Sequence, residues 1–261
     1  FYCIIPWFGM TTSGMFHLLM FSIIVVLLCY CYYVACNTKP GAPPEGWRPD
    51  MELGSMKEPD PDPSSEYNMP RKCSRCKGLK PPRAHHCSVC QACVLRMDHH
   101  CPWLENCVGY FNYKAFVLFL VYSCLGLSYS LFLIGGRVLM STRTLTLPQI
   151  ASMWFLIIIL APLTIMIYCL LSYHINLITQ NYTTIEYHSL QMQQHFNKSR
   201  GGRSGGQKNI YNLGATNNFF QLFGESPFSW LVPTVPSGSG CSFPTVREME
   251  PPSSEPPGVS V

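Results

Sequence analysis

Three stretches of the chain run without a charged residue for longer than a soluble helix ordinarily does: about residues 15–35, 115–136 and 153–173. Each reaches the roughly 20 residues needed to cross a hydrocarbon core, so the pattern predicts three membrane-spanning helices. Pro162 falls inside the third run and predicts a kink, which membrane helices tolerate better than soluble ones. The opening stretch FYCIIPWFGM is too short to span and reads as the end of a truncated helix or a luminal segment. No basic stretch precedes the first apolar run, so no cleavable signal peptide is expected.

Between and after these runs the pattern changes. We divide the chain into residues 1–36 (stub and first complete span), 37–70 (Pro-rich linker with acidic residues from Glu58 to Glu66), 71–114 (dense in Cys and His), 115–176 (two spans and a short luminal turn), 177–246 and 247–261. Residues 199–208 (SRGGRSGGQK) read as flexible. The stretch YNLGATNNFFQLFGESPFSWLVP has aromatic residues at helical spacing and predicts a short amphipathic helix against the membrane or the other helices. From Arg247 the chain is rich in Pro, Ser and Glu, a composition of disorder.

Composition agrees with a membrane protein: 48% of residues are hydrophobic and only 12% charged, against about a quarter in soluble domains. A net charge of +4 is too small to argue for nucleic acid, and the Cys/His segment lacks the paired basic and aromatic pattern of a nucleic-acid reader. Distribution says more than the total. Lys and Arg crowd residues 39–114 and return between Lys198 and Arg247, whereas the turn between the second and third runs holds only Arg137 and Arg143. Positive loops face the cytosol, so the Cys/His segment and the tail are expected there.

Seven of the fourteen cysteines fall between Cys73 and Cys107, interleaved with four histidines, which favours metal over disulfides. The spacing repeats. Cys73-x2-Cys76-x9-His86-x6-Cys93 returns, shifted by fourteen residues, as Cys87-x2-Cys90-x9-His100-x6-Cys107. Each set offers three thiolates and one imidazole, a closed tetrahedral shell suited to structural zinc. Two Zn2+ ions are expected in a compact domain, with metal binding supplying much of its folding energy.

Two full sites leave His85, His99 and Cys101 unused. Only His99 follows an acid, Asp98, and Leu104 stands where a repeat partner of Cys101 would be. The remainder, Asp98-His99-x-Cys101, has the parts of an activated thiol: an imidazole to take the proton and a carboxylate to orient the ring. The plainer reading is a spare ligand or a small buried residue. Cys101 lies about fourteen residues before the second span, which suggests a thiol at the bilayer surface.

The stretch RAHHCSVCQACVLRMDHHCPWLENCVGYFNYKAF resembles the cysteine-rich domain of the DHHC palmitoyltransferases, including Asp98-His99-His100-Cys101, with a match from about Cys73 to Phe116. Thr183-Thr184-Ile185-Glu186 resembles that family's TTxE motif, and residues 212–224, with Asn218, its C-terminal element near the active site. The resemblance implies an all-α integral membrane protein, a transmembrane helix bundle with a cytosolic two-zinc cysteine-rich domain of short β-hairpins. It also implies a protein S-acyltransferase in which Cys101, activated by His99 and Asp98, takes a long-chain acyl group from palmitoyl-CoA or a related acyl-CoA. A cysteine of a membrane-associated protein then receives it. Family members usually have four membrane helices, so residues 1–10 are expected to be the remnant of the first. Endomembranes, Golgi or endoplasmic reticulum, are the expected residence. Glu105 stands where relatives commonly have Asn, a departure expected to be tolerated.

Four further expectations have plainer alternatives. Lys80 and Arg83 are candidates for the CoA phosphates, or form an ordinary basic loop. Trp103 lines the mouth of the acyl cavity, or anchors at the interface. Ser123 and Gly126 in the second span line the acyl tunnel, with Gly126 leaving room for chains longer than palmitate, or Gly126 serves close helix packing. Cys29, Cys31 and Cys36 are packing residues or acylation sites; His17, His174, His188 and His195 fit no ligand spacing. The alternative to an enzyme is a non-catalytic zinc-knuckle membrane adaptor, which needs the eight ligands but neither Asp98 nor Cys101. A thioesterase is the second alternative.

Overall fold

The structure, a computed structural model, describes residues 11–49, 71–140, 145–200 and 209–249. The expected helical remnant at 1–10, the acidic part of the linker and the segment 201–208 lie outside these. Two compact units divide the chain. One is drawn from residues up to Thr38, Asn112–Ile175 and Ser226–Thr234; the other from Lys39–Phe111, Asn176–Glu225 and the residues from Val235 on.

The first unit holds the apolar helices: α1 (Thr12–Asn37), α2 (Tyr113–Met140) and α3 (Leu147–Gln180), the last running on beyond Ile175. At ~1.5 Å per residue each exceeds the ~30 Å of a hydrocarbon core, and all three are apolar enough to cross a membrane. They overrun the predicted spans at both ends, because polar residues at the ends are tolerated once helix is nucleated. Thr11 caps α1 by accepting the Gly14 N–H at 3.2 Å. α3 continues through Pro162, whose missing N–H leaves the Ile158 carbonyl without its helical donor. α1 and α2 pack antiparallel, with Tyr32 against Phe119 and Phe21 stacked on Tyr129. Asn112 Nδ2 closes that pair by donating to the carbonyls of Ala35 and Thr38. Apolar side chains such as Val26, Ile158 and Ile165 stand exposed along α1 and α3, as lipid-facing residues do.

The second unit is built on three antiparallel hairpins: β1 (Arg71–Lys72) with β2 (Leu79–Lys80), β3 (His85–Cys87) with β4 (Ala92–Val94), and β5 (His99–Cys101) with β6 (Asn106–Val108). Their registers superpose at a shift of fourteen: Lys72 opposite Leu79, His86 opposite Cys93, His100 opposite Cys107. Each turn has a left-handed residue at the equivalent position, Lys77, Gln91 and Glu105, with φ of 59°, 53° and 47°. Strands of two or three residues do not persist alone; the buried apolar layers are small, one of Cys87, Val94, Met97 and Cys107, another of Trp47, Ala84, Leu95 and Cys241. Gly109 lets the hairpins close up, since a Cβ there would stand 2.8 Å from the Leu95 carbonyl oxygen.

Around the hairpins lie α4 (Thr184–Ser199) and α5 (Ala215–Phe223). α5 is the expected amphipathic helix, but it stops at Gly224; Pro227–Leu231 forms a separate 3-10 turn. Val246–Met249 is a single helical turn, α6, at the start of the segment expected to lack order.

Candidate functional site

The two ligand sets converge as the spacing requires. Within Cys73, Cys76, His86 and Cys93, and within Cys87, Cys90, His100 and Cys107, the donor atoms all lie within 4.8 Å of one another. Sulfur–sulfur separations are 3.7 Å for Cys76–Cys93 and 3.5 Å for Cys90–Cys107. The imidazole Nδ1 atoms lie 3.3 Å from Cys76 and 3.4 Å from Cys90. A tetrahedron with metal–sulfur bonds of ~2.3 Å has edges of about 3.8 Å, so both cradles fit a zinc-sized cation. The thiols of each quartet split: burial, and then the neighbouring sulfurs, push Cys93 up to about 12 and raise Cys107, whereas the Cys76 N–H brings Cys73 down to about 7 and, against burial, the Cys90 N–H leaves Cys87 lowered. Thiols crowded in this way become thiolates together only around a cation. Among the described residues the thirteen cysteines are all free. With four protein ligands each, neither cradle leaves a coordination position for a substrate.

The architecture of sharing is simple. Each of the first two hairpin turns brings two cysteine sulfurs to the His and Cys on the strands of the next hairpin. The third turn carries Cys101 and Leu104, and no fourth hairpin follows it. The repeat positions that would supply its ligands are Lys114 and Val121, both in α2.

Cys101 is buried at the end of β5 and hydrogen-bonded to His99. His99 Nδ1 donates to Asp98 Oδ2 at 2.7 Å, which leaves Nε2 for the thiol. Asp98 is 2% exposed and is held from a second side: Thr184 Oγ1 donates to Oδ2 at 2.8 Å and the Thr184 N–H to Oδ1 at 2.9 Å. That N–H opens α4, so the carboxylate sits at the positive end of a helix dipole. Burial opposes charge on His99, but the bonds and charges of Asp98 and Cys101 outweigh it and hold the ring up at about 9. Cys101 moves the other way: burial pushes its thiol up, but the His99 bond, the Leu104 N–H and the charge of His99 leave it lowered. The arrangement therefore favours a thiolate–imidazolium pair.

Sequence reasoning placed Thr183–Glu186 only by resemblance and gave it no mechanical role. The signal was present: Thr183-x-x-Glu186 is a capping box, with the Thr183 hydroxyl accepting the Glu186 N–H and the Glu186 carboxylate accepting the Thr183 N–H. The same carboxylate binds Arg83 in a bidentate pair, 2.8 Å from Nε and 2.7 Å from Nη2. Burial alone would raise the Glu186 pKa, but the charge and bonds of Arg83 bring it below the ordinary carboxylate range.

Arg83 does not lie in a solvated loop. Its guanidinium is buried, also bonded to Asn181 Oδ1 and the Asn181 carbonyl, and covered by the Tyr211 and Phe243 rings. Its charge is thus paired inside the protein with Glu186. Asn181 ends α3 in the left-handed region at φ 52°, with Tyr182 N–H to Leu177 O and Asn181 N–H to Ile178 O forming a Schellman cap. Asn218 is buried and donates to the Thr179 carbonyl at 2.8 Å, satisfying the last turn of the same helix.

The remaining expected residues fall in both units. Lys80 is partly exposed on β2, and Trp103 is 82% exposed. Ser123 turns its hydroxyl back to the Phe119 carbonyl. A Cβ on Gly126 would meet Ile24 of α1 at 3.4 Å, an ordinary contact. His85 stays outside both quartets, while His17 and His174 bond to Tyr129 and Tyr113.

Comparison with known proteins follows the same residues. The family profile described as DHHC palmitoyltransferase matches residues 66–191. Probable protein S-acyltransferase 16 of Arabidopsis thaliana is 38% identical over 266 residues, covering 95% of this chain and 87% of the relative. Probable protein S-acyltransferase 12 of the same plant is 31% identical, covering 89% and 80%. Palmitoyltransferase ZDHHC20 of Homo sapiens is 33% identical, covering 93% and 70%.

Proposed function

The chain belongs to the DHHC palmitoyltransferase family and is a multi-pass membrane protein S-palmitoyltransferase; on that premise we propose that Cys101 is the nucleophile, His99 its base and Asp98 the group that orients the ring. The observation that carries this is the chain of bonds Thr184–Asp98–His99–Cys101 ending on the one cysteine of the hairpins outside both metal cradles.

The thiol proton of Cys101 passes to His99 Nε2 and the thiolate attacks the acyl-CoA carbonyl. A new C–S bond forms at Cys101, the bond to the CoA sulfur breaks, and the leaving sulfur takes the proton from the imidazolium. In the second half His99 accepts the proton of an acceptor cysteine, whose sulfur displaces Cys101 from the acyl carbon. Asp98 stabilises the imidazolium in both halves.

Two Zn2+ ions, one held by Cys73, Cys76, His86 and Cys93 and the other by Cys87, Cys90, His100 and Cys107, supply folding energy and fix β5 without entering the reaction. Lys80 is the cation we assign to the CoA phosphates, and Trp103 an exposed aromatic for the interface. Ser123 and Gly126 are assigned to the acyl-binding helix; comparing C16 with C18 and longer acyl-CoAs tests whether Gly126 leaves extra room. On the distribution of basic residues we assign the zinc-binding unit and the tail to the cytosolic face, toward membrane-associated protein substrates, and we propose an endomembrane residence.

The test is autoacylation of purified protein by labelled palmitoyl-CoA. Cys101→Ser is expected to retain two zinc ions and lose hydroxylamine-sensitive label, and to transfer none to an added substrate protein. Label that persists on Cys101→Ser moves the nucleophile elsewhere.

A further inference from the structure

The segment Ser226–Thr234 groups with the apolar helices rather than with the chain on either side of it. Its core is the 3-10 turn Pro227–Leu231, and three of its apolar side chains stand exposed: Phe228 at 90%, Leu231 at 64% and Val232 at 38%. No Asp, Glu, Lys or Arg occurs from Ser226 to Val246. An aqueous loop would neither hold a bare Phe and Leu together nor lack charge for so long.

Two bonds tie the segment to α2. Lys114 Nζ donates to Thr234 Oγ1 at 2.5 Å, and Tyr122 Oη donates to the Leu231 carbonyl at 2.7 Å. Lys114 is the last charged residue before an uncharged run that ends at Arg137, so it marks one edge of the hydrocarbon. Tyr122 lies eight residues further on, ~12 Å along the axis. The segment therefore follows α2 from its polar end into its apolar run. Its backbone is provided for as that depth demands: Ser229 N–H bonds Ser226 O, Val232 N–H bonds Ser229 O, Thr234 N–H bonds Val232 O, and Leu231 O is met by a buried tyrosine hydroxyl.

We propose that Ser226–Thr234 is a re-entrant lipid anchor, with Phe228, Leu231 and Val232 seated at the headgroup–acyl boundary of the bilayer that α2 crosses. The occupant is lipid because this apolar surface is continuous with the spanning helix to which it is bonded, and because it offers no charge to a protein partner. The anchor pins the chain between α5 and the stretch beginning at Val235 to the membrane.

Two measurements on the full chain in phosphatidylcholine vesicles test this. Phe228→p-benzoylphenylalanine, irradiated in vesicles tritiated in the choline headgroup, is expected to take up label that resists hydroxylamine; a light-dependent protein–protein adduct with no lipid label overturns the proposal. The emission difference between wild type and Trp230→Phe isolates Trp230 without altering Phe228. Loss of that emission when the lipid is brominated midway along an acyl chain, with none lost to aqueous iodide, supports the anchor. The reverse pattern, iodide effective and bromolipid not, places the segment in water.

Discussion

The first two hairpin turns and the third are one structure put to two uses. All three have the same register and the same left-handed residue. In the first two the sulfur of the leading cysteine accepts the N–H three residues on, 3.4 Å at Cys73 and 3.3 Å at Cys87. The third keeps that bond, with the Leu104 N–H lowering the Cys101 pKa, but places Leu104 where the others have a second cysteine. A turn that prepares sulfur to be a thiolate thus suits a metal where two thiolates converge and, on the function proposed above, a reaction where one stands beside an imidazole. On that proposal reactivity comes from withholding ligands, not from a new fold.

The comparison breaks most completely at a ligand. Cys90→Ser is expected to lose one zinc, and with it a share of the ~10–16 kcal/mol that structural zinc contributes. Metal analysis would show the loss, and the cooperative unfolding of residues 71–111 would disappear with all transfer activity. Asp98→Asn changes the third turn alone: both zinc ions stay, while autoacylation falls by about 10²–10⁴-fold. A matching loss of zinc would show instead that Asp98 serves the fold.

Glu186→Gln leaves Arg83 buried without its counter-charge and is expected to destabilise by ~3–5 kcal/mol, read by denaturation of the zinc-loaded protein. Because the folded pKa of Glu186 lies below its unfolded value, its contribution is present above the ordinary carboxylate range and is lost as pH falls through the folded value. The gap between wild type and Glu186→Gln should therefore be constant near neutrality and close on acidification below about pH 4.5; a gap that widens in acid refutes the assignment. The smallest effect concerns the turn itself. Glu105→Asn at φ 47° is expected to stabilise by up to ~1 kcal/mol, since Asn tolerates the left-handed region better than Glu. It should leave both zinc content and transfer unchanged.

Much of this was legible from local pattern. Uncharged runs gave the three long helices, and the fourteen-residue repeat gave both metal cradles and left Cys101 over. What local pattern could not show was the burial of Arg83, which in a basic loop looks like any solvent-facing cation. Only the return of the chain after α3, about a hundred residues later, brings Glu186 and Asn181 to it. Thr184 escaped notice for the same reason: a capping box identifies a helix start, not the carboxylate that will sit on it.

The sequence by itself determined where the chain is apolar, which Cys and His side chains gather into two metal-sized cradles and which thiol stays outside them, because these follow from spacing along a backbone of fixed geometry. Only the tertiary structure decided that Asp98 is clamped by a helix N-terminus and that Arg83 is spent on Glu186. Those facts depend on bonds between residues 86 and 103 positions apart, and no periodicity encodes a partner at that distance.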